Sequence, residues 1–101
     1  MPGIVAYQEQ PPVLRCTGDE DLATQAIRRR AFACALKSGR NVVVDLSELA
    51  FADSSLMFDL AILAQRMRGD GQRLRLRHPQ PQIVRLIEVV GLHRQPGVDL
   101  A

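Results

Sequence analysis

Residues 72 to 78 read QRLRLRH, and this strict alternation constrains the chain more than any other stretch. Successive side chains of a strand point to opposite faces of its sheet. Leu74 and Leu76 therefore share one face, and Arg73, Arg75 and Arg77 share the other. Three guanidiniums cannot lie under a covering layer without partners, because a buried unpaired charge is costly. A sheet that contains this strand has one covered face and one wet face, so any helices must lie on a single side.

The rest of the chain supplies both kinds of element. NVVVDLS (41–47) is the clearest second strand, with Val42, Val44 and Leu46 on one side and Asn41, Val43 and Asp45 on the other. GIVAYQ (3–8) and VLRCT (13–17) read as short strands separated by Pro11-Pro12, and GVDL (97–100) as a short last strand. Three helical segments alternate with them. The first spans 21–38, where Ile27, Ala31, Cys34 and Ala35 share a face and Arg28, Arg29 and Arg30 form a solvated one. The second starts at Ser54 or Ser55, carries Leu56, Leu60, Leu63, Ala64 and Met67 at helical spacing, and ends at Gly69-Asp70-Gly71. The third covers 82–91, with Ile83, Leu86, Ile87 and Val90 on one face. Strands alternating with helices favour parallel neighbours joined by right-handed crossovers. The expected fold is α/β: a mixed four- to five-stranded sheet with helices layered on one face, in a single domain over 1–101.

Composition removes several functions. The net charge is only +2, and the aromatics are three Phe and one Tyr with no Trp. Single-stranded nucleic acid needs aromatic faces to stack on, so no nucleic-acid partner is expected. No apolar run approaches the roughly 20 residues of a membrane span, and MPGIVAYQEQPP turns polar too soon for a signal peptide. No membrane partner and a cytoplasmic location are the expectation. Cys16 and Cys34 form no CxxC pair and read as reduced, buried small hydrophobes. His78 and His93 stand alone, without a second ligand at metal spacing. The chain has no GxSxG elbow, P-loop or GxGxxG. No enzyme activity, cofactor or metal is expected.

FADSSLMFD (51–59) is the stretch that raises a functional question. Asp and Ser are preferred helix N-caps, worth about 1 kcal/mol, and capping alone accounts for Asp53, Ser54 and Ser55. Asp21 reads as an N-cap too. Asp45 and Ser47 read as fixing the turn after the central strand.

The ordered set VVVDLSELAFADSS, CTGDED (16–21) and GDGQRLRLRHPQPQIVRLIEVVGL (69–92) resembles the STAS domain, typified by bacterial anti-sigma factor antagonists (anti-anti-sigma factors). The resemblance runs from about residue 12 to 100. It implies a protein that regulates transcription by binding an anti-sigma factor, often a serine kinase of the histidine-kinase-like ATPase fold, and so releasing the sigma factor. It further implies that the kinase phosphorylates Ser54, with Ser55 as the runner-up, that the modified protein lets go, and that a phosphatase resets it. The expected partner-binding residues are Asp21, Asp53, Ser54, Ser55, Leu56 and Met57; Met57 and Phe58 are the exposed anchors expected of a binding module without phosphorylation. Two positions depart from the family pattern: Leu56 stands where Gly is usual, and Ala52 where a larger aliphatic is common. The departure at Leu56 motivates an alternative, a STAS protein-interaction or ligand-sensing module that is not phosphorylated.

Overall fold

The computed structural model describes residues 3–100. The strands are β1 (Ile4–Gln8), β2 (Val13–Glu20), β3 (Val42–Ala52), β4 (Leu74–Arg77) and β5 (Val98–Leu100). The helices are α1 (Gln25–Lys37), α2 (Ser54–Gly69) and α3 (Pro81–Val90), with 3-10 turns at Leu22–Thr24 and Leu92–Arg94. The sheet has five strands in the order β1-β2-β3-β4-β5. β1 is antiparallel to β2, and every other pair is parallel. Each parallel step advances the same way across the sheet, so right-handed crossovers stack all three helices on one side. This is the mixed sheet with a single helical layer that the arginine alternation demanded.

The register shows how the two faces separate. Val42 and Val44 lie opposite Leu74 and Leu76, and Leu74 lies opposite Val98. All are buried under the stripe Leu56, Leu60, Leu63, Ala64 and Met67 of α2 and under Ile83 and Ile87 of α3. On the far face Arg15, Asp45 and Arg77 are successive cross-strand neighbours, and Arg75 lies between Val43 and Asp99. Opposite charges in adjacent strands stabilise such a face. Arg15 meets Asp45 at 3.2 Å, and Arg73 meets Asp99 at 2.6 Å.

Three local features differ from the sequence expectations. First, β3 does not end at residue 47 but runs to Ala52. Its pairing with β2 slips between Arg15 and Thr17, and again between Gly18 and Asp19. At each slip β3 carries an extra residue, so its inward positions after Leu46 fall at Leu49 and Ala52 rather than at every second residue. The Asp45 carboxylate accepts from the Ser47 amide at 3.0 Å and from the Ser47 hydroxyl at 2.7 Å. These two residues fix the first bulge within the strand, not a turn after it.

Second, the buried face of α1 consists of Arg28, Ala31, Phe32 and Ala35. Ile27 is 62% exposed, Cys34 is exposed, and Arg28 is fully buried. The bulk of Phe32 turns the helix toward the core on a stripe that includes an arginine, so the expectation that Arg28 lies on a solvated face is wrong. Arg29 and Arg30 do face outward. Third, the two cysteines part company: Cys16 is buried as expected, whereas Cys34 is exposed. Burial and the neighbouring Glu20 charge push the Cys16 thiol far above its ordinary range, so it stays a protonated core hydrophobe.

Candidate functional site

The end of β3 delivers the chain directly into α2. The Asp53 amide donates to the Glu20 carbonyl at 3.0 Å, which extends the β2–β3 pairing to the last residue before the helix. Asp53 then adopts extended backbone angles and caps α2, its carboxylate accepting from the Ser55 amide at 2.9 Å. The same carboxylate oxygen accepts the Ser55 hydroxyl. Burial acts to raise the Asp53 carboxyl, but the Ser55 hydrogen bonds and the Arg28 charge outweigh it and hold Asp53 below the usual carboxylate range.

The turn after β2 meets this helix end. Asp21 is the N-cap of the 3-10 turn, accepting from the Ala23 amide at 2.9 Å, while Thr24 answers as the second half of a capping box. Asp21 is therefore an N-cap, as its place before a helical segment suggested. Beneath the two turns lies Arg28. Its Nε donates to Asp59 Oδ2 at 2.9 Å, one Nη to the Asp21 carbonyl at 3.0 Å, and the other Nη to Ser55 Oγ at 2.9 Å. Glu20 Oε1 lies 3.6 Å from Nη1. Glu20 Oε2 accepts from the Thr24 hydroxyl at 2.6 Å. Burial pushes the Glu20 carboxyl above its ordinary range, against the opposing pull of Thr24 and Arg28. One guanidinium thus ties α1, the β2–α1 turn and the first two turns of α2 into a single buried node.

This node separates the two serines. Ser55 is half-buried, and its hydroxyl is held from both sides by Asp53 and Arg28. Ser54 is exposed in the first turn of α2, with its hydroxyl in none of the side-chain hydrogen bonds among the described residues. The structure brings Asp21, Asp53, Ser54 and Ser55 together. It sends Leu56 and Met57 elsewhere: they are 0% and 2% exposed and belong to the core. An anchoring role on the surface is closed to both. Phe58, four residues beyond Ser54 and so on the same helix face, is 68% exposed. Leu22 and Phe51, from the other two segments meeting here, are 68% and 53% exposed.

Sequence reasoning missed Arg28, Glu20, Asp59, Leu22 and Phe51 as parts of the site. A signal for two of them existed. Arg28 completes a helical stripe with Ala31, Phe32 and Ala35, and Asp59 sits within the stripe that holds Leu56, Leu60 and Leu63. Two opposite charges on two covered faces call for each other.

A five-stranded mixed sheet, β1 antiparallel and the rest parallel, with one helical layer is the architecture of the STAS fold. The family model described as "Mlab, STAS domain" matches residues 5–100, and the chain belongs to that family. Two solved structures share the fold. An anti-sigma-factor antagonist (STAS) domain protein from Planctomyces limnophilus superposes with a TM-score of 0.76 at 19% identity, covering 98% of this chain and 89% of that one. The anti-sigma factor antagonist SpoIIAA in its unphosphorylated form gives a TM-score of 0.68 at 19% identity, covering 99% and 88%. No curated protein sequence matches the chain. No helix among the described residues is long and apolar enough to cross a membrane.

Proposed function

We propose that the protein is a bacterial, cytoplasmic anti-sigma factor antagonist. Its docking surface is the junction of the β2–α1 turn with the start of α2, and phosphorylation of Ser54 switches it off. The carrying observation is the contrast between adjacent hydroxyls: Ser54 is exposed and uncommitted, whereas Ser55 is bound by Asp53 and Arg28. A kinase can take Ser54 without opening the fold. Ser55 could be modified only by breaking the buried node.

The surroundings support a protein partner. Leu22, Phe51 and Phe58 offer exposed apolar anchors around a small polar centre, the anatomy of a protein interface. The partner proposed is an anti-sigma factor with serine kinase activity and the histidine-kinase-like ATPase fold, and a phosphatase would reset the switch. The chain itself acts as a binding module rather than an enzyme. Leu56, in place of the family glycine, is wholly in the core and adds no bulk on the docking side.

The switch is electrostatic. Phosphorylation adds about −1.5 to −2 charges at neutral pH. The amides at a helix start tolerate that charge, so the domain stays folded. The partner meets a dianion beside Asp53 and Asp21, and the complex loses affinity through like-charge repulsion and desolvation. Ser54→Asp should weaken binding to the anti-sigma kinase at least about tenfold, equivalent to about 1.4 kcal/mol, and Ser54→Ala should bind like wild type. Incubation of the protein with that kinase and ATP, followed by peptide mass spectrometry, should place one phosphate on Ser54. Equal affinity of the Ala and Asp variants, together with an unmodified 51–59 peptide, would leave a STAS interaction module without a phosphoswitch.

A further inference from the structure

α1 and α2 each connect parallel strands across the same face of the sheet, so they lie side by side and run the same way. Their outer sides leave an open groove of about 450 Å³. Phe32 and Leu63 form its floor, and Leu36 and Ile62 line it higher up. Ile62 is 47% exposed. The α1 wall runs from Arg29 to Lys37, about 12 Å at 1.5 Å per residue, or just over two helical turns.

The charge around this apolar trough is one-sided. Arg29 and Lys37 contribute from α1 and Arg66 from α2. The one acid, Asp59, already accepts from Arg28 and Gln25 and lies 3.8 Å from Arg29. Lys37 and Arg66, in the last turns of their helices, take part in no ion pair or side-chain hydrogen bond among the described residues. They stand at the same end of the groove because the two helices are parallel.

We propose that the α1–α2 groove docks an acidic amphipathic helix of a partner protein. Apolar residues of that helix at i, i+3, i+4 and i+7 would lie on Phe32, Leu36, Ile62 and Leu63, and its carboxylates would meet Lys37 and Arg66. The trough length fits two turns of helix, and parallel helical walls form the kind of groove that takes an amphipathic helix. A small anionic amphiphile fits less well, since ligand pockets enclose most of their ligand and this groove is open along its length. The cations reject a basic helix, because like charges across an interface oppose the wrong partner. This groove excludes Ser54 and the exposed side chains around it, so it stands or falls independently of the phosphoswitch.

The test uses two fluorescein-labelled synthetic helices of about 18 residues, long enough to cover the groove. Both carry the same leucine stripe; one is flanked by Glu, the other by Lys. Fluorescence anisotropy with the whole chain should show the acidic peptide binding at least about tenfold more tightly, with the preference shrinking as salt screens the charges. The double variant Lys37→Glu/Arg66→Glu should reverse the preference, and Ile62→Asp should abolish binding of both peptides. Circular dichroism and urea melts on each variant check that the fold is retained. Equal binding of the two peptides, or no binding of either at millimolar concentration, would overturn the proposal. So would decanoate occupying the groove, by Ile62 methyl shifts in NMR, while neither peptide binds.

Discussion

Arg28 and Arg73 each join two elements through a carboxylate, and by distance the two contacts are nearly the same. The Nε of Arg28 lies 2.9 Å from Asp59, and that of Arg73 lies 2.8 Å from Asp99. The surroundings differ completely. The Arg28 side chain is 0% exposed, whereas those of Arg73 and Asp99 are 53% and 47% exposed. Hydrogen-bond geometry therefore does not rank these interactions; access to water does. Removing one partner of a buried pair strands the other in low dielectric, while an exposed partner is simply rehydrated. The helical side of the molecule uses charge as an internal joint, and the open face of the sheet uses it as surface.

The contrast can be broken most directly at the joint. Arg28→Met should lower stability by about 3–5 kcal/mol, because Glu20 and Asp59 are left buried without their cation. A urea melt reads this, and a loss under about 1 kcal/mol would mean that water already reaches the cluster. The adjacent serines sharpen the same point. Ser55→Ala should cost about 1–3 kcal/mol by leaving Arg28 short of an acceptor, while Ser54→Ala should stay within about 0.5 kcal/mol of wild type. Comparable losses at both positions would erase the distinction between a structural and a free hydroxyl.

Smaller effects follow from titration. Glu20 is held above its ordinary value of 4.5 chiefly by burial. The folded protein then binds that proton more tightly than the unfolded chain, so the Glu20 contribution is present at low pH and fades as pH rises through the folded value. Glu20→Gln should therefore gain stability relative to wild type on going from pH 4 to pH 7. Asp45 and Asp53 carry the opposite sign. Each is held below its ordinary value of 3.8, where hydrogen bonds from Ser47 and Ser55 and nearby arginines overcome partial burial. Their contributions are present above that value and lost as pH falls through the lowered one, which should show as acid destabilisation in melts below pH 4. The smallest effect is expected on the open face. Arg73→Ala should change the urea midpoint little, and the difference should vanish in about 1 M salt, where the screening length is near 3 Å. A difference that persists there would show that the sheet face is less wet than its exposure implies.

Much of this was legible along the chain. The alternation of Leu74 and Leu76 with three arginines required a one-sided sheet. The stripe from Leu56 to Met67 located α2 and its buried face, and Asp53 announced the helix start. The failures share a cause. Residues 47–52 looked unlike a strand because two bulges interrupt the period of two. Bulges are set by pairing with β2, a strand some thirty positions earlier. Met57 looked like an anchor because a helix start is ordinarily exposed on most sides, yet here it is 2% exposed and lies beside Val90 and Leu92, at the end of α3 and in the 3-10 turn that follows it.

Periodicity, caps and turn residues act within one segment, so composition along that segment was enough to decide the order of elements, the handedness of their connections and the wet face of the sheet. Which serine stays exposed and which is bound was decided only when distant segments met. Arg28 reaches Ser55 across 27 residues and Asp59 across 31, and a guanidinium is a solvent-facing charge or a buried joint according to what the fold brings against it.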